Sequence, residues 1–219
     1  MSDATSETTG RIRRLFGGEA FKFARWGGAI SPAVIGLDAA GGRLFGEAVR
    51  VLAGHAGATL ADGEAEANLL IYVMKDWRDA ARAPNLPDFL PDLPALVARL
   101  EAAGANRYRV FAFDDAGAIR ASITLLRYDE QMRAAPVDYI ALTEAALALL
   151  VFDESGVSAD RPVAMAQLPD GERRAMLVPF HAALLKAAYD PAIPAGSKDP
   201  ALALRLAARV GLAGADDAA

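Results

Sequence analysis

Residues 136–154 read PVDYIALTEAALALLVFDE, and the way this stretch folds decides the rest of the chain. Proline suits the first turn of a helix, because its fixed φ fits there and its missing N–H would have no partner anyway. After Pro136, the segment Val137–Phe152 carries only Asp138, Thr143 and Glu144 as polar side chains, plus the Tyr139 hydroxyl. A helix apolar on nearly every face must be covered on every face, so it is a central helix. Its cover has to come from the segments before and after it.

Immediately upstream, Tyr108–Phe113 and Ala118–Leu126 alternate, and Asp114-Asp115-Ala116-Gly117 joins them. Period-two alternation about an Asp/Gly turn predicts a hairpin. Asn68–Met74, NLLIYVM, is a short apolar run rich in strand formers and reads as a buried strand. Over Arg43–Thr59, Leu44, Ala48, Leu52, His55 and Thr59 share a helical face, with Phe45, Val49 and Ala56 beside it. Gly57 and Asp62-Gly63 close that helix. Phe21–Ile35 has strand-like content, yet Gly27, Gly28 and Pro32 make it an irregular or edge strand. Lys75–Pro94 reads as a proline-rich loop, with Pro94 opening a short helix, Ala95–Ala103, that stops before Gly104. Downstream, Ser155–Gly171 reads as a polar loop and Ala175–Tyr189 as a helix with Pro179 in its first turn. Pro200–Val210 is a last amphipathic helix with Leu202, Leu206 and Val210 inward.

This order predicts an α+β fold: a single mixed β-sheet packed against a central apolar helix, with helices at the C-terminal end. The 219 residues suit one domain, placed over 19–212, between a mobile N-terminal tail, 1–18, and a disordered C-terminal tail, 213–219.

Composition removes several function classes. There is no cysteine, which excludes disulfides, thiolate metal sites and a cysteine nucleophile. The formal charge of −5 gives no pull toward nucleic acid. Gly27-Gly28, Gly36 and Gly41-Gly42 lack dinucleotide-site spacing, and no G-K-[ST] phosphate loop is present. No apolar run reaches the 18 or so residues of a spanning helix. The polar start, Met1–Gly10, has no apolar leader, so the reading is cytoplasmic as written, or periplasmic had a leader been removed. Basic and aromatic residues mix over Arg11–Trp26, a pattern that suits a membrane surface, but the glycine pairs break it and a solvated tail is the plainer reading.

The segment Leu184–Gly196, LLKAAYDPAIPAG, closes a leucine-rich helix in Tyr-Asp-Pro before a Pro/Gly turn. Together with Ala67-Asn68-Leu69-Leu70-Ile71, Thr143-Glu144 and Asp153-Glu154-Ser155, it resembles a proteobacterial family of unknown activity, itself similar to metzincin-type zinc peptidases. The resemblance covers roughly Phe23 to Val210 by element order and implies a metzincin-like outline. It implies that Glu144 stands where a metzincin has its catalytic glutamate. The ligand positions then become Thr143, Leu147 and Asp153, and Leu150 takes the place of the turn glycine.

Those residue types cannot hold zinc. Catalytic zinc needs three strong donors, usually two imidazoles one helical turn apart, and leucine has no lone pair. The only histidines, His55 and His181, make no i, i+4 pair. His55 reads as a hydrogen-bonded core residue and His181 as half-exposed. Asp76, Asp79, Asp88 and Asp92 lack regular calcium-ligand spacing. No metal or cofactor is expected. A lone carboxylate on an apolar helix either lines a cleft as an acid/base or pairs with an arginine, the plainer reading for Glu144. The expected function is a non-catalytic, peptidase-like binding or structural domain, a pseudoenzyme whose groove accepts a peptide or protein segment by strand addition. The alternatives are a metal-free enzyme using Glu144 with Asp153, and a membrane-surface accessory protein held through Arg11–Trp26.

Overall fold

The computed structural model describes residues 3–62 and 66–216. The first part of the chain runs α1 (Asp3–Leu15), β1 (Phe23–Ala24), β2 (Pro32–Ile35), α2 (Ala39–Ala56) and β3 (Leu69–Met74). A 3-10 segment, Trp77–Arg82, leads to α3 (Leu86–Phe89), α4 (Leu93–Ala102), β4 (Arg107–Phe113) and β5 (Ile119–Arg127). Then come α5 (Glu130–Arg133), α6 (Val137–Leu149), α7 (Glu154–Ala159), β6 (Val163–Gln167) and β7 (Arg173–Leu177). The chain closes with α8 (Pro179–Ala188), β8 (Gly196–Ser197) and α9 (Leu202–Asp216).

The main sheet has the order β2-β3-β5-β4. β2, β3 and β5 are parallel, and β4 is antiparallel to β5, so the sheet is mixed and the fold is α+β. β3 is apolar throughout because both its faces are covered. Leu69, Ile71 and Val73 join a core with Val49 and Leu52 of α2 and Ala145 and Leu149 of α6. Tyr72 and Met74, projecting the other way, join a second core with Trp77, Leu86, Leu93 and Leu96. Pro32 lies on the edge strand β2, where a missing donor is tolerated. At the β4–β5 turn the Asp114 carboxylate accepts the Ala116 and Ala118 N–H groups, both at 2.9 Å, and Gly117 takes φ 78°. Two further two-stranded ribbons, β1–β8 and β6–β7, accompany the main sheet.

Helix α6 is buried along almost its whole length, from Ile140 to Leu149. Its last carbonyls face the usual problem of a helix end with no partner in the next turn. No left-handed glycine ends it; Leu150 is extended, at φ −135° and ψ 151°. Instead the Trp26 indole donates to the Ala148 carbonyl at 2.8 Å, and the Tyr189 hydroxyl donates to Leu149 at 2.9 Å. The tyrosine of the Tyr-Asp-Pro segment thus caps the central helix.

Several expectations are corrected. Residues 3–15 are helix rather than mobile tail, because Ile12, Leu15 and the following Phe16 are buried against the rest of the domain. Phe16 stacks on Phe152 at 5.4 Å and meets Phe23 edge-on at 5.2 Å. The C-terminal helix continues through Asp216, so the expected tail at 213–219 is helical as far as it is described; 217–219, like 1–2 and Gly63, lie outside the described residues. The polar stretch 155–171 contains α7 and β6, and Ala175–Leu177 belongs to β7, so α8 begins at Pro179. The proline-rich 75–94 stretch holds the 3-10 segment and α3. Among the described residues no helix is long and apolar enough to cross a membrane.

Candidate functional site

Strand alternation places Arg107, Arg109, Phe111 and Phe113 on one face of β4, the face toward α6. Phe111 and Phe113 pack on the main core. Arg109 reaches Glu144, which is fully buried: its Nη2 donates to Oε2, and its Nε donates to Thr124 Oγ1 at 3.0 Å. Arg107 Nη2 stands 3.0 Å from Oε1, as an ion pair without hydrogen-bond alignment. Burial pulls the Arg109 guanidinium below its ordinary pKa, and Glu144 pushes it back. Glu144 is therefore the arginine-paired carboxylate of the plainer reading. Its partners escaped sequence reasoning, although two arginines in register with two core phenylalanines were a usable signal.

The three expected ligand positions separate. Thr143 and Leu147, one turn apart, line a cleft of ≈ 260 Å³ between the start of β4, α6 and α7. Glu144 follows Thr143 by one residue, about 100° around the helix, and so turns toward β4 instead. Asp153 lies elsewhere: it caps α7, accepting the Gly156 N–H at 3.1 Å and the Ser155 hydroxyl. Those two bonds, Ser155 first, hold its pKa below the usual carboxylate value. Asp153 lines a separate surface depression beside Arg11 and Arg14, whereas Glu144 lines none of the clefts described.

The histidines reverse their expected environments. His55 is exposed, with Nε2 2.9 Å from the Ala182 carbonyl. His181 is buried between Phe152 and Phe180, and neither ring nitrogen has a hydrogen-bond partner. Burial pushes its pKa down to about 4, although Asp160 Oδ1 is 3.8 Å away. Asp160 itself is held low by Arg11, which pairs with both its oxygens. Asp76 and Asp79 form a capping box on the 3-10 segment. Among the described residues no three His, Cys, Asp or Glu side chains are grouped as metal ligands.

The cleft has a distinct chemistry. Arg107 and Arg161 line it, with Asn106, Gln131, Tyr139 and Ser158, and no carboxylate does. Thr143 Oγ1 is buried there without a hydrogen-bond partner. Beside the cleft, β4 is the sheet's edge. The Arg127 N–H donates to the Asn106 carbonyl at 2.8 Å, which fixes the ladder's phase. Alternation then turns the N–H and C=O groups of Arg107, Arg109 and Phe111 away from β5. Among the described residues nothing pairs with them.

No protein-family model, curated protein or solved structure matches the chain.

Proposed function

We propose that the chain is a non-catalytic binding domain that takes an extended peptide or protein segment onto β4. The observation that carries this reading is the unpaired outer edge of β4, running past a cleft that α6 lines. Such an edge supplies main-chain hydrogen bonds to any extended chain, while neighbouring pockets select side chains. Thr143 and Leu147, two of the three positions expected to correspond to metal ligands, line the cleft and offer it a hydroxyl and an apolar surface in place of a metal donor set. Enclosure of Glu144 by two arginines weighs against its use as an acid/base on a substrate. Burial of Phe16, Phe21, Phe23 and Trp26 likewise weighs against a membrane arm, since these rings are already in the core.

The test is a fluorescent library of extended octapeptides, followed by N-methylation scanning of those retained. Capture without cleavage and without response to chelator is expected. N-methyl groups at alternate positions abolish binding, because only every second N–H of an added strand faces β4. Loss without any period-two pattern, or turnover of bound peptide, would overturn the proposal.

A further inference from the structure

The cleft next to the β4 edge has no place in strand pairing itself, yet it is built for something. No carboxylate lines it, inside a chain whose formal charge is −5; of its two guanidinium groups, Arg107 is already paired with the buried Glu144 behind the wall and Arg161 is not. Arg161 forms no ion pair with an acid among the described residues, so its guanidinium keeps its full charge for a ligand in the cleft. Thr143 also lines the cleft, and its hydroxyl is more than nine-tenths buried and unpartnered, a desolvated donor with no acceptor. Beside the polar Asn106, Gln131, Tyr139 and Ser158, an apolar part of the wall is formed by Met132, Ile140, Leu147 and Val157.

We infer that this cleft seats the C-terminal carboxylate of a bound peptide, with an apolar last side chain against Leu147 and Val157. The inference rests on the strand-addition reading and deepens it. Size supports it, since ≈ 260 Å³ falls below the 300–1,000 Å³ or so of sites that enclose whole cofactors or drug-sized ligands. It suits the end of a chain. Direction supports it independently. The cleft lies at the N-terminal end of β4, beside Asn106 and Arg107. A strand antiparallel to β4 arrives there with its carboxyl end, and antiparallel pairing is also slightly the more stable of the two. A parallel strand would bring its ammonium group against Arg107 and Arg161. Planar guanidinium groups bind carboxylates through paired, charge-assisted hydrogen bonds.

Two probes separate this inference from the reading beneath it. N-acetyl-leucine and N-acetyl-leucinamide, titrated into the full chain at millimolar concentration, report on the seat alone through the shift in Tm. The acid is expected to raise Tm and the amide is not. Retained octapeptides, compared as free acid and C-terminal amide, are expected to differ by about ten-fold or more in Kd. Arg161→Gln, an exposed position, removes that difference without changing amide binding or Tm. Thr143→Val weakens the acid and leaves the melting temperature equal or higher, because it deletes a buried unpaired hydroxyl. Equal binding of acid and amide peptides, with the N-methyl pattern intact, overturns the carboxylate seat and leaves strand addition standing. An acid-specific response without that pattern does the reverse. Inorganic phosphate raising Tm as much as N-acetyl-leucine would overturn the assignment to a carboxyl terminus.

Discussion

Replacing Glu144 with glutamine gives the sharpest check on the site as described. The carboxylate is fully buried, the Arg109 side chain is 15% exposed and the Arg107 side chain 44%. Glutamine keeps the shape and one acceptor but removes the charge that compensates Arg109. Breaking a buried pair by removing one partner costs about 3–5 kcal/mol, because the other charge stays desolvated. The retained amide oxygen and the wetter Arg107 place this case near the low end, about 3 kcal/mol. For a chain of this size a loss of 1 kcal/mol lowers Tm by roughly 2–4 °C, so Glu144→Gln should melt about 6–12 °C lower. Thermal unfolding followed by circular dichroism, with a urea titration showing a lower midpoint at unchanged m, measures it. Glu144→Leu combined with Arg109→Leu removes both charges, and should recover most of the loss. A Glu144→Gln protein that melts at the wild-type temperature or above would refute the ion-pair account. Stabilisation on losing a charge is instead the mark of a carboxylate held under strain for function.

Two further outcomes follow from the N-terminal docking and the buried histidine. His181 has its pKa lowered from 6.5 to about 4, chiefly by burial, so the unfolded chain takes up its proton first as pH falls. Stability present above pH 6.5 should therefore drain away between about 6.5 and 4, by about 3 kcal/mol in all. Urea midpoints across that window measure it, and His181→Leu should flatten the profile there; Asp160, with its pKa held below 3.8, contributes only at lower pH. A wild-type profile flat from pH 6.5 to 4 contradicts the buried neutral imidazole. Gly156 sits against α1 so closely that an added Cβ would lie 2.3 Å from the Arg14 carbonyl oxygen and 2.9 Å from Leu15 Cα. Gly156→Ala should cost about 1–3 kcal/mol and abolish slow amide exchange in α1; unchanged protection over residues 3–15 would mean that α1 docks elsewhere.

What the sequence disclosed and what it hid divide by whether a signal was local. The hairpin, the apolar strand β3 and helix α6 are written in contiguous patterns and form there to within a residue or so, except that α6 stops at Leu149 rather than Phe152, where the chain turns extended at Leu150. Helix α1 is different: its first two turns are almost all Ser, Thr and acidic residues, only Ile12, Leu15 and the following Phe16 bury, and their partners include Phe152, more than a hundred residues away, as well as the nearby Phe23. Nothing within 1–18 encodes that docking. The β6–β7 ribbon pairs a weakly alternating VAMAQ with a largely exposed RRAML, so its only local mark was the Asp170-Gly171 turn, where Gly171 takes φ 86°. His181 was misplaced because the first four residues of its expected helix, 175–178, are not helical; once β7 ends at Leu177, the histidine falls in the first turn of α8, facing Phe152. For Glu144 the choice between solvent and partner was visible, but the partner's address lay on a strand 35 positions earlier.

That long-range pairing also explains why one helix can serve two unlike surroundings. Thr143 and Leu147 share the stripe of α6 that opens on the cleft, while Glu144 is carried onto the stripe that faces β4. Arg107 belongs to both: it contacts the buried carboxylate and lines the open cleft. An edge strand is ordinarily the most easily displaced part of a sheet, held by a ladder on one side only. Here β4 has a second attachment, through Arg109 and Arg107 to the most buried helix of the domain. The ion cluster fixes the free edge and the cleft wall relative to one another, so in the proposed binding mode an incoming strand would meet backbone groups and guanidinium groups already in register. A binding surface gains affinity from such preorganisation, since less ordering is left to be done when the ligand arrives. On this account the buried carboxylate performs no chemistry, and its contribution to function is to hold the two arginines of β4 where they are.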